Sequence, residues 1–182
     1  MKLPTSLLPA LLAALALAAP VASALAADQG PYIVVAAGRT SYDYDCYFLY
    51  DCNNAGANAG KVVAGYRFTI FAVEVSVTDW GKASIPFNNN LRLRSTGLNG
   101  AWAMHFSPTI QGLLRAGFAQ VRLNRSDDGK SDHVEATVGL GLTVDLAPAL
   151  ALEFAWDATS ATGRNSGSVL AQSLSAGLRL KF

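Results

Sequence analysis

Two sets of side chains in this sequence are of types that do chemistry. His105 and Ser107 stand two apart in His105-Phe106-Ser107, and Glu135 offers a carboxylate elsewhere in the chain. A histidine that takes a proton from a serine hydroxyl, steadied by an acid, is hydrolase machinery. The second set is Arg67, Glu74, Arg115, Glu153 and Arg179, each placed among apolar or small neighbours. Charges held away from water are costly unless paired, so these five are expected to interleave as an Arg/Glu network. Cys46 and Cys52 lie close together in the stretch Tyr42-Asp43-Tyr44-Asp45-Cys46-Tyr47-Phe48-Leu49-Tyr50-Asp51-Cys52. In an exported chain such a pair reads as a disulfide. The only histidines, His105 and His133, are remote from them, and the Asp spacing fits no EF-hand loop, so no metal and no cofactor is expected.

The elements that must hold these groups follow from what the chain can bury. Lys2, the Leu/Ala/Pro run from Leu7 to Ala19 and the small-residue sequence Ala24-Leu25-Ala26 predict a signal peptide over residues 1–26. The mature domain is then 27–182, beginning at Ala27 or Asp28. There is no linker within it and no cysteine at the cleavage site to carry a lipid. The chain is 51% hydrophobic and only 15% charged, yet no apolar stretch long enough for a membrane helix follows the leader. A membrane protein under those constraints is a barrel. A net charge of +1, without a basic stripe, argues against nucleic acid.

Period-two alternation recurs along the mature chain and predicts eight strands. Val62, Ala64, Tyr66, Phe68 and Ile70 oppose Lys61, Val63, Gly65, Arg67 and Thr69. Val73, Val75 and Val77 then oppose Glu74, Ser76 and Thr78. From Val134 to Val144 every even residue is aliphatic, and Leu150, Leu152, Phe154 and Trp156 oppose Ala151, Glu153, Ala155 and Asp157. Tyr32–Thr40, Leu98–Phe106, Gly112–Gln120 and Leu170–Phe182 follow less cleanly. The apolar face is read as free of charge throughout, with Arg39 on the polar side of the first strand. A lipocalin-type barrel would place its apolar face inside, whereas here the second face is Gly, Ala, Ser and single charges. The predicted fold is therefore all-β, an eight-stranded antiparallel up-and-down transmembrane β-barrel. Short turns are expected around Thr69-Ile70-Phe71, Ser107-Pro108-Thr109 and Asp145-Leu146-Ala147-Pro148. Long outward-facing connections are expected over Tyr42–Gly60, Asp79–Gly97, Arg122–His133 and Ala158–Ser168. Tyr66, Phe68, Phe71, Phe106, Phe154 and Phe182 would form a periplasmic aromatic girdle, with Trp80, Trp156 and Phe118 at the outer rim.

Several motifs resemble the transmembrane domains of the OmpA-like family. They are Gly65-Tyr66-Arg67-Phe68, Phe71-Ala72-Val73-Glu74-Val75, Asp79-Trp80-Gly81-Lys82 and Leu114-Arg115-Ala116-Gly117. Val138-Gly139-Leu140-Gly141 through Leu152-Glu153-Phe154, and the ending Leu174–Phe182, complete the set. The resemblance covers the mature chain and implies outer-membrane localisation in a Gram-negative bacterium. It also implies that the final aromatic, Phe182, is the signal read by the barrel-assembly machinery. Because the sequence ends at Phe182, no peptidoglycan-binding domain is expected after the barrel. The resemblance admits a gate as well as a packed polar plug for the lumenal charges.

The function expected is a non-enzymatic barrel with a structural, surface-interaction or weakly conducting role. Its partners would be outer-membrane lipid and lipopolysaccharide and the assembly machinery, with an extracellular ligand at the aromatic first loop, and the barrel is expected to be a monomer. The alternative is a lipid A-modifying enzyme, since lipid A deacylases of this barrel size pair His-x-Ser with a carboxylate. The face on which His105 lies discriminates the two.

Overall fold

The computed structural model describes residues 29–44, 55–85, 89–125, 129–162 and 168–182. The expected signal peptide and the Cys46/Cys52 pair lie outside the described residues. Eight strands, β1 (Gly30–Tyr44), β2 (Ala55–Arg67), β3 (Phe71–Ile85), β4 (Asn89–His105), β5 (Ile110–Arg125), β6 (Gly129–Ala147), β7 (Leu150–Thr162) and β8 (Ser168–Lys181), run up and down in sequence order. Each pairs antiparallel with the next, and β1 pairs with β8 to close the barrel. Tight turns at residues 68–70, 106–109 and 148–149 share one end with the start of β1 and with Phe182. In outer-membrane barrels that end is periplasmic.

Outward side chains form an apolar band: Ile33 and Val35, Val73 to Val77, Leu98 to Met104, Val138 to Leu142, and Leu174 to Leu178 at alternate positions. Lipid, not a protein core, must cover them. The strands nevertheless run 13 to 19 residues, more than the roughly 9–11 that cross a bilayer at a tilt. The excess stands above the band, and there the polarity inverts. Leu93, Val121, Leu123 and Val169 point inward and are buried, while Arg92, Arg94 and Arg122 point outward. On β4, β5 and β8 the phase of the pleat does not change; the solvent does. Beyond the lipid, the outer wall meets water, so charge moves outside and apolar residues move in.

This inversion corrects three expectations. The long connections 79–97, 122–133 and 158–168 are mostly ladder, with β3 and β4 paired out to Ile85 and Asn89. Trp80 is not a girdle residue but is buried inside, its Nε1 donating to Ser95 Oγ at 2.8 Å, because it shares parity with Glu74 and Thr78. Arg39 points outward with Ile33 and Val35, opposite Leu174, so the outer face does carry charge, at the rim where the apolar band ends.

A bulge between Asp79 and Gly81 marks the same level on β3. Gly81 has φ 88°, and a Cβ there would lie 2.2 Å from the Asn58 carbonyl oxygen. Tyr42 Oη donates to the carbonyls of Trp80 (2.9 Å) and Gly81 (3.2 Å), fastening β1 to the bulge.

A closed ladder leaves no edge strand from which to unravel. Folded protein in detergent is therefore expected to migrate differently from boiled protein on electrophoresis; identical mobility would contradict closure.

Candidate functional site: the lumenal charge network

The inward face of the lower barrel concentrates four charges. Glu74 on β3 accepts from Tyr32 Oη (Oε1, 2.6 Å) and from Arg115 Nε (Oε2, 2.7 Å). Arg115 Nη2 also donates to Glu153 Oε1 at 2.7 Å, while Glu153 Oε2 accepts from Arg179 Nε (3.0 Å) and Nη2 (2.7 Å). Arg179 Nη2 comes within 3.9 Å of Glu74, closing the circuit, and its guanidinium lies 4.3 Å from the centre of the Tyr32 ring. All four charged side chains are at most 4% exposed. Two acids face two arginines, so the charge of this circuit sums to zero. That balance, with bidentate geometry, is what makes such burial tolerable.

Local sequence makes the room. Gly65 stands between Tyr32 and Glu74 in the ladder, and a Cβ on it would sit 2.4 Å from Tyr32 Cζ. The aromatic ring thus fills the space a side chain would have taken and brings its hydroxyl to Glu74. Arg67 is buried lower down, lining with Tyr32, Arg179 and Lys181 a void of about 20 Å³.

Above the network, Lys61 pairs with Asp157, and Thr137 Oγ1 donates to Asn99 Oδ1 at 2.6 Å. These groups and Glu74, Arg115 and Trp80 enclose a void of about 30 Å³, room for roughly one or two waters. Over that void sits an apolar layer of Tyr42, Trp80, Ala83, Leu93, Val121, Leu123 and Val169. The lumen is therefore closed twice, by ion pairs below and by packed side chains above.

Of the five charges expected to pair, the ion-pair circuit joins Glu74, Arg115, Glu153 and Arg179, with Arg67 beneath. Sequence reasoning passed over Tyr32, Lys61 and Asp157. Parity gave the signal for the last two, since Lys61 shares a face with Arg67 and Asp157 with Glu153. Tyr32 carried none, because a tyrosine reads equally well as lipid-facing.

The hydrolase constellation is not assembled. His105 is paired with Gln111 and shares the inward parity of Ala103, at the periplasmic mouth. Ser107 Oγ accepts from the backbone amides of Thr109 (3.3 Å) and Ile110 (3.0 Å), so its hydroxyl shapes the turn. Glu135 is opposite Ala119, eight residues further along β5 than Gln111, about 26 Å at the rise of a strand. It accepts instead from Ser160 Oγ at 2.9 Å. Among the described residues no group of His, Cys, Asp and Glu is placed to hold a metal.

The outer rim carries a second charged set. Asp79 accepts from Arg92 Nη2 (2.7 Å) and Arg94 Nε (3.0 Å), and Asp132 from Arg122 Nε (2.9 Å). Partial burial opposes ionisation of Asp79, but the hydrogen bonds from Arg92, the Gly81 amide and Arg94 outweigh it and hold the carboxyl below its usual range.

Comparison with known proteins agrees with this architecture. The family model of the outer membrane protein beta-barrel domain matches residues 10–182. Among solved structures, Neisserial surface protein A aligns with a TM-score of 0.67 at 21% identity, covering 84% of this chain and 97% of that one. The N-terminal β-barrel domain of Pseudomonas aeruginosa OprF aligns at 0.48 and 18%, covering 84% and 99%. Ail of Yersinia pestis aligns at 0.46 and 17%, with the same coverage. The comparison with curated proteins finds no match. The chain belongs to the outer membrane protein beta-barrel domain family.

Proposed function

We propose that this protein is a non-enzymatic barrel, exported by its signal peptide, whose role is structural and surface-interacting, with a lumen that serves as a plug. The observation that supports this reading best is the double closure: a neutral, fully buried Arg/Glu circuit beneath an apolar layer, with a void of about 30 Å³ between them and one of about 20 Å³ below the circuit. Eight strands enclose little more than their own side chains, so a wide pore is not available. The dispersal of His105, Ser107 and Glu135 removes the feature on which a lipid A hydrolase reading rested. On this reading the surface beyond the membrane does the work, with the first loop, Tyr42 to Cys52, as ligand surface and lipopolysaccharide as neighbour. Cys46 and Cys52 would staple that loop, and Phe182 would serve assembly.

Planar-bilayer recording tests it. The wild-type barrel is expected to give no sustained current steps. Glu74→Ala alone should also remain closed, because the Trp80/Leu93 layer persists, whereas Glu74→Ala with Leu93→Ala should produce small intermittent steps. Steady wild-type conductance would overturn the plug. Analysis of lipid A from cells with and without the protein checks the non-enzymatic part: a change in acylation would sink it.

A further inference from the structure

We propose that the outward basic patch of Lys82, Arg92, Arg94 and Arg122 binds a multiply phosphorylated glycolipid of the outer leaflet, of the lipid A type. The proposal deepens the reading just given, in which lipopolysaccharide is a neighbour, by assigning the residues that hold it.

Position comes first. Arg94 and Arg122 follow Leu98 and Phe118 by two outward positions along β4 and β5, past Thr96 and Gln120, so they stand at the upper edge of the lipid-covered wall. A ligand with phosphate above and acyl chains below meets both surfaces at once. Pairing comes second. Arg94 is directly opposite Arg122, and Lys82 directly opposite Arg92. Like charges opposed across a ladder are destabilising; among the described residues the acids are Asp79 on β3, opposite Arg94, and Asp132 on β6, opposite Arg122, one on each outer side of the arginine pair. Four cations against two carboxylates leave the patch at +2, and Lys82 makes no ion pair among the described residues. An anion between the strands would relieve that repulsion.

Shape comes third. Arg94, Thr96, Gln120, Arg122 and Asn124 line a surface groove of about 540 Å³, with Asp79, already held by Arg92 and Arg94, at its β3 edge. Guanidinium forks match phosphate bidentately, and the hydroxyl and amides add neutral donors. The cations occupy two heights, one outward position apart and therefore about 7 Å along the strand. That spacing favours a headgroup with more than one phosphate over a single phosphodiester. The other side of the rim differs: among the described residues, Arg39 is the outward cation on β1, with Asp43 nearby on the same strand.

The test uses the full-length protein, refolded in detergent and titrated with bis-phosphorylated lipid A, its dephosphorylated form and phosphatidylglycerol. Wild type is expected to prefer bis-phosphorylated lipid A about tenfold over either other lipid, and Arg94→Gln with Arg122→Gln to lose that preference. Arg39→Gln should keep it. Heat-modifiability checks that each variant is folded, and if the double variant is not, either single substitution should weaken binding about threefold. Undiminished preference in the folded double variant, or its loss on Arg39→Gln, would overturn the assignment while leaving lipid A as a neighbour. No preference for lipid A in the wild type would remove both.

Discussion

Glu74→Ala is expected to destabilise the barrel by about 3–5 kcal/mol, the cost of leaving buried cations without their acid. The substitution deprives Arg115 of a bidentate partner, Tyr32 of its acceptor and the circuit of its neutrality at once. Urea unfolding from lipid vesicles, followed by tryptophan fluorescence, reads the loss. Glu135→Ala supplies the contrast. Glu135 receives a hydrogen bond from Ser160 near the rim, and its removal should cost less than about 1 kcal/mol. A double-mutant cycle sharpens the point. Adding Arg115→Leu to Glu74→Ala removes the stranded cation and leaves Glu153 with Arg179, so part of the lost stability should return. If Glu74→Ala and Glu135→Ala are equally mild, the lumenal charges are solvated and the plug is not held by pairing.

Gly81→Ala should be the costliest single methyl added to this barrel, at about 2–4 kcal/mol. Two penalties add at one residue. Its φ of 88° is a conformation that L side chains rarely adopt, and the new Cβ would press against a backbone oxygen, which cannot swing aside as a side chain can. The bulge also holds Tyr42, whose hydroxyl bonds both bulge carbonyls, so the strain should spread into the apolar layer over the lumen. The same unfolding measurement reads the effect, and a loss under about 0.5 kcal/mol would show that the bulge is not fixed by this residue. Gly65→Ala makes an informative companion. Its clash is with the far end of Tyr32, which can yield, and it should be milder although it lies nearer the charges.

The sequence by itself determined the strand count, the closed up-and-down class and the lumenal side of the five charges. Each of these follows from period two: once Val73, Val75 and Val77 face lipid, Glu74 has nowhere to point but inward. The same rule put Lys61 with Arg67 and Asp157 with Glu153, and it would have placed Trp80 inside as well, had parity been followed past the apolar band rather than residue type. What the sequence left open was where the lipid ends. Asn89-Asn90-Leu91-Arg92-Leu93-Arg94 reads as a polar loop if one asks for apolar residues outside, yet it is ladder in which Leu93 points in and Arg92 and Arg94 point out. An alternating pattern carries no label saying which face is wet, so the reversal at the rim became visible only when the strands were paired. Which charges meet is likewise a property of closure. Glu74, Arg115, Glu153 and Arg179 come from four different strands, separated in the chain by 26 residues or more, and only the register that joins β1 to β8 brings Tyr32 and Arg179 beside Glu74. Sequence fixes the face a side chain takes, through local backbone geometry. The partner it finds depends on strand stagger around the whole barrel, which no local pattern records.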